Sequence, residues 1–360
     1  MNQLFLLIFF SALSLVSLSQ KPGADWPVFR GTYNLTGYAA SALPAAPALL
    51  WSVSTGEGSK SSPVISDGII YFGNLKGNVY AVSPEGKIIW KKETGGTAES
   101  PPMIYGDYLF IGGGDGIMRA FDKKTGRLLW SYSTDNQIVG SANIWSAGKS
   151  TGLIFGSYDY YLHCVDPLTG RLLWKLETEN YVNGTPAVMN NRIVFGGCDG
   201  MVRIADPLTG RERNRFETGG YIAASPAISG ERAWFGDYDG NLYCLDMISG
   251  KMVWEVPAGK GSGAIMAIPA AGRNMLVVGN EDKYLYCYNS GSGELIWKFR
   301  TNGRITGSAV ITPSGVLFGS MDGNVYILGL QDGGKKWSFN AGAPVSSSPA
   351  VTTGRFYFLT

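Results

Sequence analysis

Charge is scarce in this chain of 360 residues: only 16% of its side chains are Asp, Glu, Lys or Arg. The 30 basic and 28 acidic residues are interspersed and leave a formal charge of +2. No basic stripe marks a nucleic-acid partner, and no acidic tail marks a solvating disordered segment. Histidine occurs once, at His163, which excludes a multi-histidine metal site. No Gly-x-Ser-x-Gly elbow accompanies it, so a Ser-His-Asp triad has no support. His163 stands where other repeats carry Tyr80, Tyr243, Tyr286 and Tyr326, and is read as a strand surface residue. Beyond residue 18 no run is long and apolar enough to cross a membrane. No segment of useful length has a helical period.

Glycine and aromatics are abundant: 50 Gly, and 12% Phe, Trp and Tyr. They recur at a fixed interval. Trp51, Trp90, Trp130, Trp174, position 214, Trp254, Trp297 and Trp337 are separated by 39, 40, 44, 40, 40, 43 and 40 residues. The lead-up repeats too, as Asp122-x-x-Thr125-Gly126-Arg127-x-x-Trp130, Asp166-x-x-Thr169-Gly170-Arg171-x-x-Trp174 and Asp246-x-x-Ser249-Gly250-Lys251-x-x-Trp254. A period near 40 marks a repeat architecture. These tryptophans are assigned to structural docking between repeats.

One repeat reads as four short strands. Residues 61–93 give a small apolar stretch, the run Ile69–Phe72, a Lys76-Gly77 turn, Val79–Val82, and Ile88-Ile89-Trp90. Elsewhere the turn is Asp115-Gly116, Asp199-Gly200, Asp239-Gly240 or Asp322-Gly323, a strong hairpin signal because both positions need positive φ. Gly112-Gly113-Gly114 before such a turn is no phosphate cradle, since no helix follows. Ten residues after each anchor the side chain is small: Ser61, Ser100, Gly140, Gly184, Ala224, Gly307, Ser347, and Ala267 after an insertion. That fits inner strands converging on an axis. The expected fold is an all-β, eight-bladed β-propeller of four-stranded antiparallel blades, with seven blades as the alternative. Leu49–Ser54 precedes any inner strand and is expected to close the ring as the outer strand of the last blade. The third strand occurs only seven times, so the last blade is incomplete: either the natural chain continues past Thr360 or residues 26–47 fill the gap. Asn214 breaks the tryptophan pattern, and Phe216, on the same side of its strand, is the candidate substitute.

Residues 1–19 read as a secretory signal, with Gln20 near the mature start, residues 20–47 as an N-terminal lead-in, and 48–360 as one propeller domain. Of the four cysteines, Cys164, Cys244 and Cys287 share one repeat position with Ala81 and Ala120. They are expected to be buried free thiols in separate repeats, and Cys198 has no evident partner.

The docking motif, with Trp26-Pro27-x-Phe29-Arg30-Gly31 and Thr36-Gly37 ahead of it, resembles the PQQ-repeat family of β-propellers, over about residues 25–360. That family contains quinoprotein dehydrogenases and non-enzymatic members, and the chain resembles its non-enzymatic BamB-like members. The dehydrogenase pattern implies adjacent cysteines, which are absent, and converging carboxylates for calcium. Glu57, Glu99, Asp135 and Glu179 are the acids nearest the axis. BamB-like members are anchored through an N-terminal cysteine, whereas the first cysteine here is Cys164. The resemblance thus implies a monomeric periplasmic or secreted protein that is not a lipoprotein. It would act as a non-catalytic scaffold, without a cofactor, catalytic residue or metal. PQQ with calcium in a quinoprotein oxidoreductase is the alternative.

The loops leading into each inner strand carry the least repetitive residues: Lys60, Glu99, Gln137, Tyr181, Asn183, Tyr221 and Arg304. A three-residue insertion between Gly259 and Met266 enlarges one of them. Loops on a rigid scaffold are where binding residues gather. These seven are the candidate face for an envelope protein or peptide, or for a carbohydrate. Tyr181, Tyr221 and Arg304, each seven residues past its anchor, should crown one ring.

Overall fold

The computed structural model describes residues 25–259 and 263–360, so the expected signal segment and mature start lie outside the described residues. Seven four-stranded antiparallel meanders follow one another, at residues 64–93, 103–133, 143–177, 187–217, 227–257, 270–300 and 310–340. They are numbered blades 1 to 7. Within each, the strands run in chain order from the innermost to the outermost. An eighth sheet has two strands, Ala350–Thr352 and Arg355–Tyr357.

Complete blades therefore number seven, the alternative count, and the expectation of eight four-stranded blades is corrected. The inner and second strands do recur eight times, but the last pair has no third strand beside it. Residues 49–54 form no strand, because the strand they would pair with is missing. Nor do residues 26–47 fill the gap, since their path lies elsewhere.

The docking motif has a local cause. Asp122 accepts main-chain bonds from Lys124 (3.1 Å) and Thr125 (2.8 Å) and a hydroxyl bond from Thr125 (2.8 Å). That Asx turn delivers Gly126 at φ +68°. The Trp90 ring of the preceding blade lies beneath it, so a Cβ on Gly126 would sit 2.8 Å from the indole. The indole N–H of Trp90 donates to Lys123 O at 3.0 Å. The same bond joins Trp130 to Pro167, Trp174 to Pro207, Trp254 to Ser290 and Trp297 to Leu330. Trp51 makes it too, to Pro84 of blade 1 at 2.8 Å, although it stands on no strand. Across the third strand each anchor faces a small or apolar residue: Ala81, Ala120, Cys164, Cys244, Cys287 or Ile327. A bulge follows that residue in all seven blades. The three cysteines at this position are buried and unpaired, and burial pushes each thiol up to about 12.

Phe216 does not replace the missing tryptophan. It occupies the position held by Tyr132, Leu176, Val256 and Phe299 in other blades, across from Val202. Asn214 itself lies against Gly250, in the place of an indole.

Two devices hold the inner strands. The first is a hydroxyl belt, eleven residues past most anchors. Ser141 N donates to Thr185 Oγ1, Thr185 N to Ser225 Oγ, Ser308 N to Ser348 Oγ and Ser348 N to Ser62 Oγ, over 2.5–2.9 Å. The last bond joins the two-stranded sheet to blade 1 and closes the ring. The second is residues 26–39, which cross one end of the barrel as a strap. Ile104, Val188, Ile228, Ala271 and Ile311, each the middle residue of an inner strand, donate to the carbonyls of Pro27, Tyr33, Asn34, Thr36 and Gly37. Trp26 bridges Ile65 of blade 1, and Asn143 of blade 3 donates from its amide to Tyr33 O at 2.7 Å. Val28 and Leu35 of the strap are fully buried.

Candidate binding face at the channel end opposite the strap

Inner strands run from the loop ring to the strap, so the axial channel has two unlike ends. The cavity between them measures about 260 Å³. Its wall is mostly small and polar, with Ser62, Ser141, Thr185, Ser225 and Ser308 of the belt, while Phe29 of the strap reaches it from one side. The small residues expected here are required: a Cβ on Gly140 would lie 2.8 Å from Gly184 O, and one on Gly307 2.6 Å from Ser347 O.

The loop ring is held by a repeated pair of bonds. Thr134, four residues past its anchor, donates its hydroxyl to Gly116 O (2.9 Å) and Asn136 O (2.6 Å). Thr94, Thr178, Thr218 and Thr301 do the same in their blades. Three residues on, the carbonyls of Gln137, Tyr181, Tyr221 and Arg304 accept from Tyr158, Cys198, Tyr238 and Met321. Gln137, Tyr181, Tyr221 and Arg304 thus occupy one equivalent ring position, as the spacing implied.

The candidates fall into two sectors. Lys60 and Glu99 meet each other at 3.4 Å on the channel wall, and Arg304 pairs with Glu281 at 3.1 Å. Both are solvent-exposed pairs, worth little to stability. The other sector, on blades 3 to 5, is aromatic. The ring of Tyr181 stacks on Tyr158 with centroids 4.5 Å apart and meets Tyr160 at 5.4 Å. The Tyr158 hydroxyl donates to Asn183 Oδ1 at 3.0 Å. Tyr160, Tyr181, Tyr221 and Tyr238 are all exposed, Tyr221 by 60%. Burial raises the Tyr158 phenol above its usual range, and neighbouring Cys198, Tyr238, Glu99 and Tyr181 add to that. The Tyr158–Tyr181 stack and the Tyr158–Asn183 bond join the blade 3 and blade 4 loops. Sequence reading missed Tyr158, Tyr160 and Tyr238. The available signal was variability: at the position of Tyr158 and Tyr238, other repeats hold Leu75, Gly114, Cys198, Glu281 and Met321. Of the enlarged loop, residues 260–262 lie outside the described residues, while Met266 is exposed beside the channel.

Beneath the ring, five turn acids are tied to the residue four positions on, while in blade 5 the Tyr243 hydroxyl donates to Asp237 at 2.7 Å. The pairs are Asp115–Arg119, Asp159–His163, Asp199–Arg203, Asp282–Tyr286 and Asp322–Tyr326. His163 is consequently buried, at 2% exposure, which corrects its reading as a surface residue. Its Nε2 lies 3.0 Å from Asp159, and its Nδ1 3.1 Å from the Tyr132 hydroxyl. The arrangement belongs to the turn supports and offers no reactive atom to the channel.

The carboxylates that a calcium–quinone site would call on do not converge. Glu99 faces Lys60, and the exposed Glu179 lies 3.9 Å from Arg215. Among the described residues no three His, Cys, Asp or Glu side chains group as a metal would require. Calcium takes six to eight oxygen ligands. The described residues of the channel therefore do not offer that ligand set.

The family model described as "Outer membrane protein assembly factor BamB" matches residues 39–151, 140–265 and 239–360. A protein of that name from Burkholderia pseudomallei (strain K96243) is 37% identical over 73 residues, which is 20% of this chain and 19% of the relative. The chain thus matches about a fifth of that relative's length. The crystal structure of BamB from Moraxella catarrhalis superposes with a TM-score of 0.71 at 18% identity, over 83% of this chain and 93% of that one. A europium-containing methanol dehydrogenase gives 0.79 at 14% identity, over 93% and 88%. These two likenesses establish the fold. With repeats, anchors and blades in register along its length, the chain belongs to the PQQ-repeat β-propeller family whose model carries the BamB description.

Proposed function

We propose that this protein is a non-catalytic scaffold of the cell envelope that binds a protein partner through its loop ring. The observation that carries the reading is the tyrosine sector, where Tyr181 stacks on Tyr158 and meets Tyr160 at a tilt, beside exposed Tyr221 and Tyr238. Tyrosine gives a large apolar contact area with a polar tip at small entropic cost, which suits an interface anchor. An extended segment of the partner could lie across the mouth, its side chains on the rings and its polar groups on Asn183, Glu99 and Lys60. Assignment to the periplasm or beyond, as a monomer, is part of the same reading. No helix among the described residues is long and apolar enough to cross a membrane.

Recovery of envelope partners on the wild-type chain, with loss on Tyr181→Ala plus Tyr221→Ala, is the expected result. Equal recovery by both would remove the loop ring from the reading. The second reading, a PQQ-dependent oxidoreductase, rests on the shared fold of the methanol dehydrogenase. Calorimetry with PQQ and calcium beside a dye-linked alcohol oxidation assay separates the two. Tight binding with turnover would replace the scaffold by the enzyme.

A further inference from the structure

Three adjacent blades present the same exposed pair of side chains at the strap end. The docking turn between third and outer strands lies there, because inner and third strands both run toward the strap. Two residues past its Asp stands Leu168 in blade 3, Leu208 in blade 4 and Ile248 in blade 5. These apolar tips are exposed by 57%, 59% and 55%. Blades 2, 6 and 7 carry Lys124, Gly291 and Gln331 at that point. Three residues past each apolar tip comes a cation, Arg171, Arg211 or Lys251. All three cations are exposed, and among the described residues none pairs with a carboxylate.

The tips are held in place. Asp166, Asp206 and Asp246 accept from the main-chain N–H of the tip itself at 2.8, 2.8 and 3.1 Å, and from the residue after it. The glycines that follow, Gly170, Gly210 and Gly250, lie against Trp130, Trp174 and Asn214 of the blade before. The same bonds occupy one oxygen of each carboxylate. Arg213 and Arg232 take the other in Asp206 and Asp246. The acids of these turns are thus engaged from within, while the cations face outward. Positions related by the ring repeat lie at one height along its axis. Three apolar tips and three cations at one height make a level rim, which fits a flat partner.

We propose that this rim docks on an anionic lipid surface. The leucine and isoleucine tips enter the headgroup boundary, and Arg171, Arg211 and Lys251 meet the phosphates. Buried apolar area and attraction to anionic headgroups are the two contributions to peripheral membrane binding, and each tip supplies both. Exposed Leu172-Leu173 and Met252-Val253 open the outer strands of blades 3 and 5 and continue the apolar surface. Lys149 and Arg192, at the neighbouring turns, add charge of the same sign. The tyrosine sector rises from the opposite ends of the same blades, so docking turns it away from the lipid. The proposal does not rest on the loop-ring reading.

The probes are two sets of vesicles, one of phosphatidylglycerol with phosphatidylethanolamine, the other of phosphatidylcholine. Cosedimentation of the full chain should show saturable binding to the first, weakening as salt rises, and none to the second. Leu168→Ser with Leu208→Ser and Ile248→Ser should weaken binding at least about tenfold, and Arg171→Gln with Arg211→Gln and Lys251→Gln should do the same. All six side chains are exposed, so both triple variants should keep the wild-type unfolding midpoint. Tyr181→Ala with Tyr221→Ala should bind these vesicles as the wild type does, which separates this result from partner recovery. No binding to the anionic vesicles, equal binding to phosphatidylcholine, or undiminished binding by either triple variant overturns the proposal. So does loss of lipid binding in the tyrosine variant, which would move the contact to the loop end.

Discussion

At one end of the channel, residues 26–39 tie the middle of one inner strand after another by main-chain bonds, and bury Val28 and Leu35 completely. At the other end the main chain is equally regular, with Thr94, Thr134, Thr178, Thr218 and Thr301 pinning equivalent loops, but the side chains are not. Blades 3 to 5 raise tyrosines there, while other blades raise Lys60, Glu99 or Arg304. The strap end spends its sequence on being held, and the loop end is held by its scaffold so that its sequence is free to vary. That contrast is what makes the loop ring, and not the strap, the candidate face.

The contrast can be broken at several points. Leu35→Asp should have the largest effect, because it buries an uncompensated charge under the strap. A loss above about 4 kcal/mol is expected in guanidinium unfolding. A loss near zero would show that the strap is not part of the folded core. Next comes Asp199→Asn, beneath the loop ring, where Asp199 and Arg203 are both buried 2.6 Å apart. Removing one charge of such a pair costs about 3 kcal/mol. Burial raises the Asp199 carboxyl, but the Arg203 hydrogen bond and charge outweigh it and leave it below the usual range. The pair therefore contributes fully above the unfolded carboxyl value of about 4 and is lost as pH falls through the lower folded value. The wild-type chain should show this acid loss in pH-dependent unfolding, and the Asn variant should lack it.

Smaller effects sharpen the picture. Asn214→Trp restores an indole over Gly250, and should add about 1–2 kcal/mol by filling the anchor place. A loss would mean that the blade 4 and 5 interface has closed around the smaller side chain. Arg30→Met, at the strap end, should be neutral or gain about 1 kcal/mol in the same unfolding measurement. The guanidinium donates to Ala309 O at 2.5 Å, but its Nε and Nη2 are buried without protein partners. Burial alone pulls it down to about 9. Tyr181→Ala with Tyr221→Ala should change stability by less than about 0.5 kcal/mol while abolishing partner recovery. A large stability loss would move these rings from the binding face into the scaffold.

Much of the scaffold was legible because its causes are local. The Asx turn, Gly126 at positive φ and the alternation of Val79–Val82 each act within a few residues. Cys164, Cys244 and Cys287 were placed correctly because one register assigned them the spot across from the anchor. What was missed depends on partners far away in the chain. His163 looked like a surface residue, since the acid that buries it, Asp159, is recognised only once the turn is folded. Phe216 looked like a substitute for tryptophan until Asn214 was seen against Gly250. The stacking of Tyr158 on Tyr181 joins two blades, and no repeat pattern contains it. Blade number depended on whether Leu49–Ser54 would pair, which requires a third strand that the sequence does not provide.

The strap has a consequence for ring size. Except between blades 4 and 5, where Asn214 stands against Gly250, the blade interfaces use an indole, a glycine and a carbonyl in the same places, so an interface cannot count how many others there are. A chain with one 40-residue repeat excised would still match each indole to a glycine. Residues 26–39 can count. Their contacts at Trp26, Pro27, Tyr33, Asn34, Thr36 and Gly37 are unevenly spaced and each meets a particular inner strand. The strap is a ruler laid across the ring, and a ring of another circumference would leave its marks facing the wrong blades.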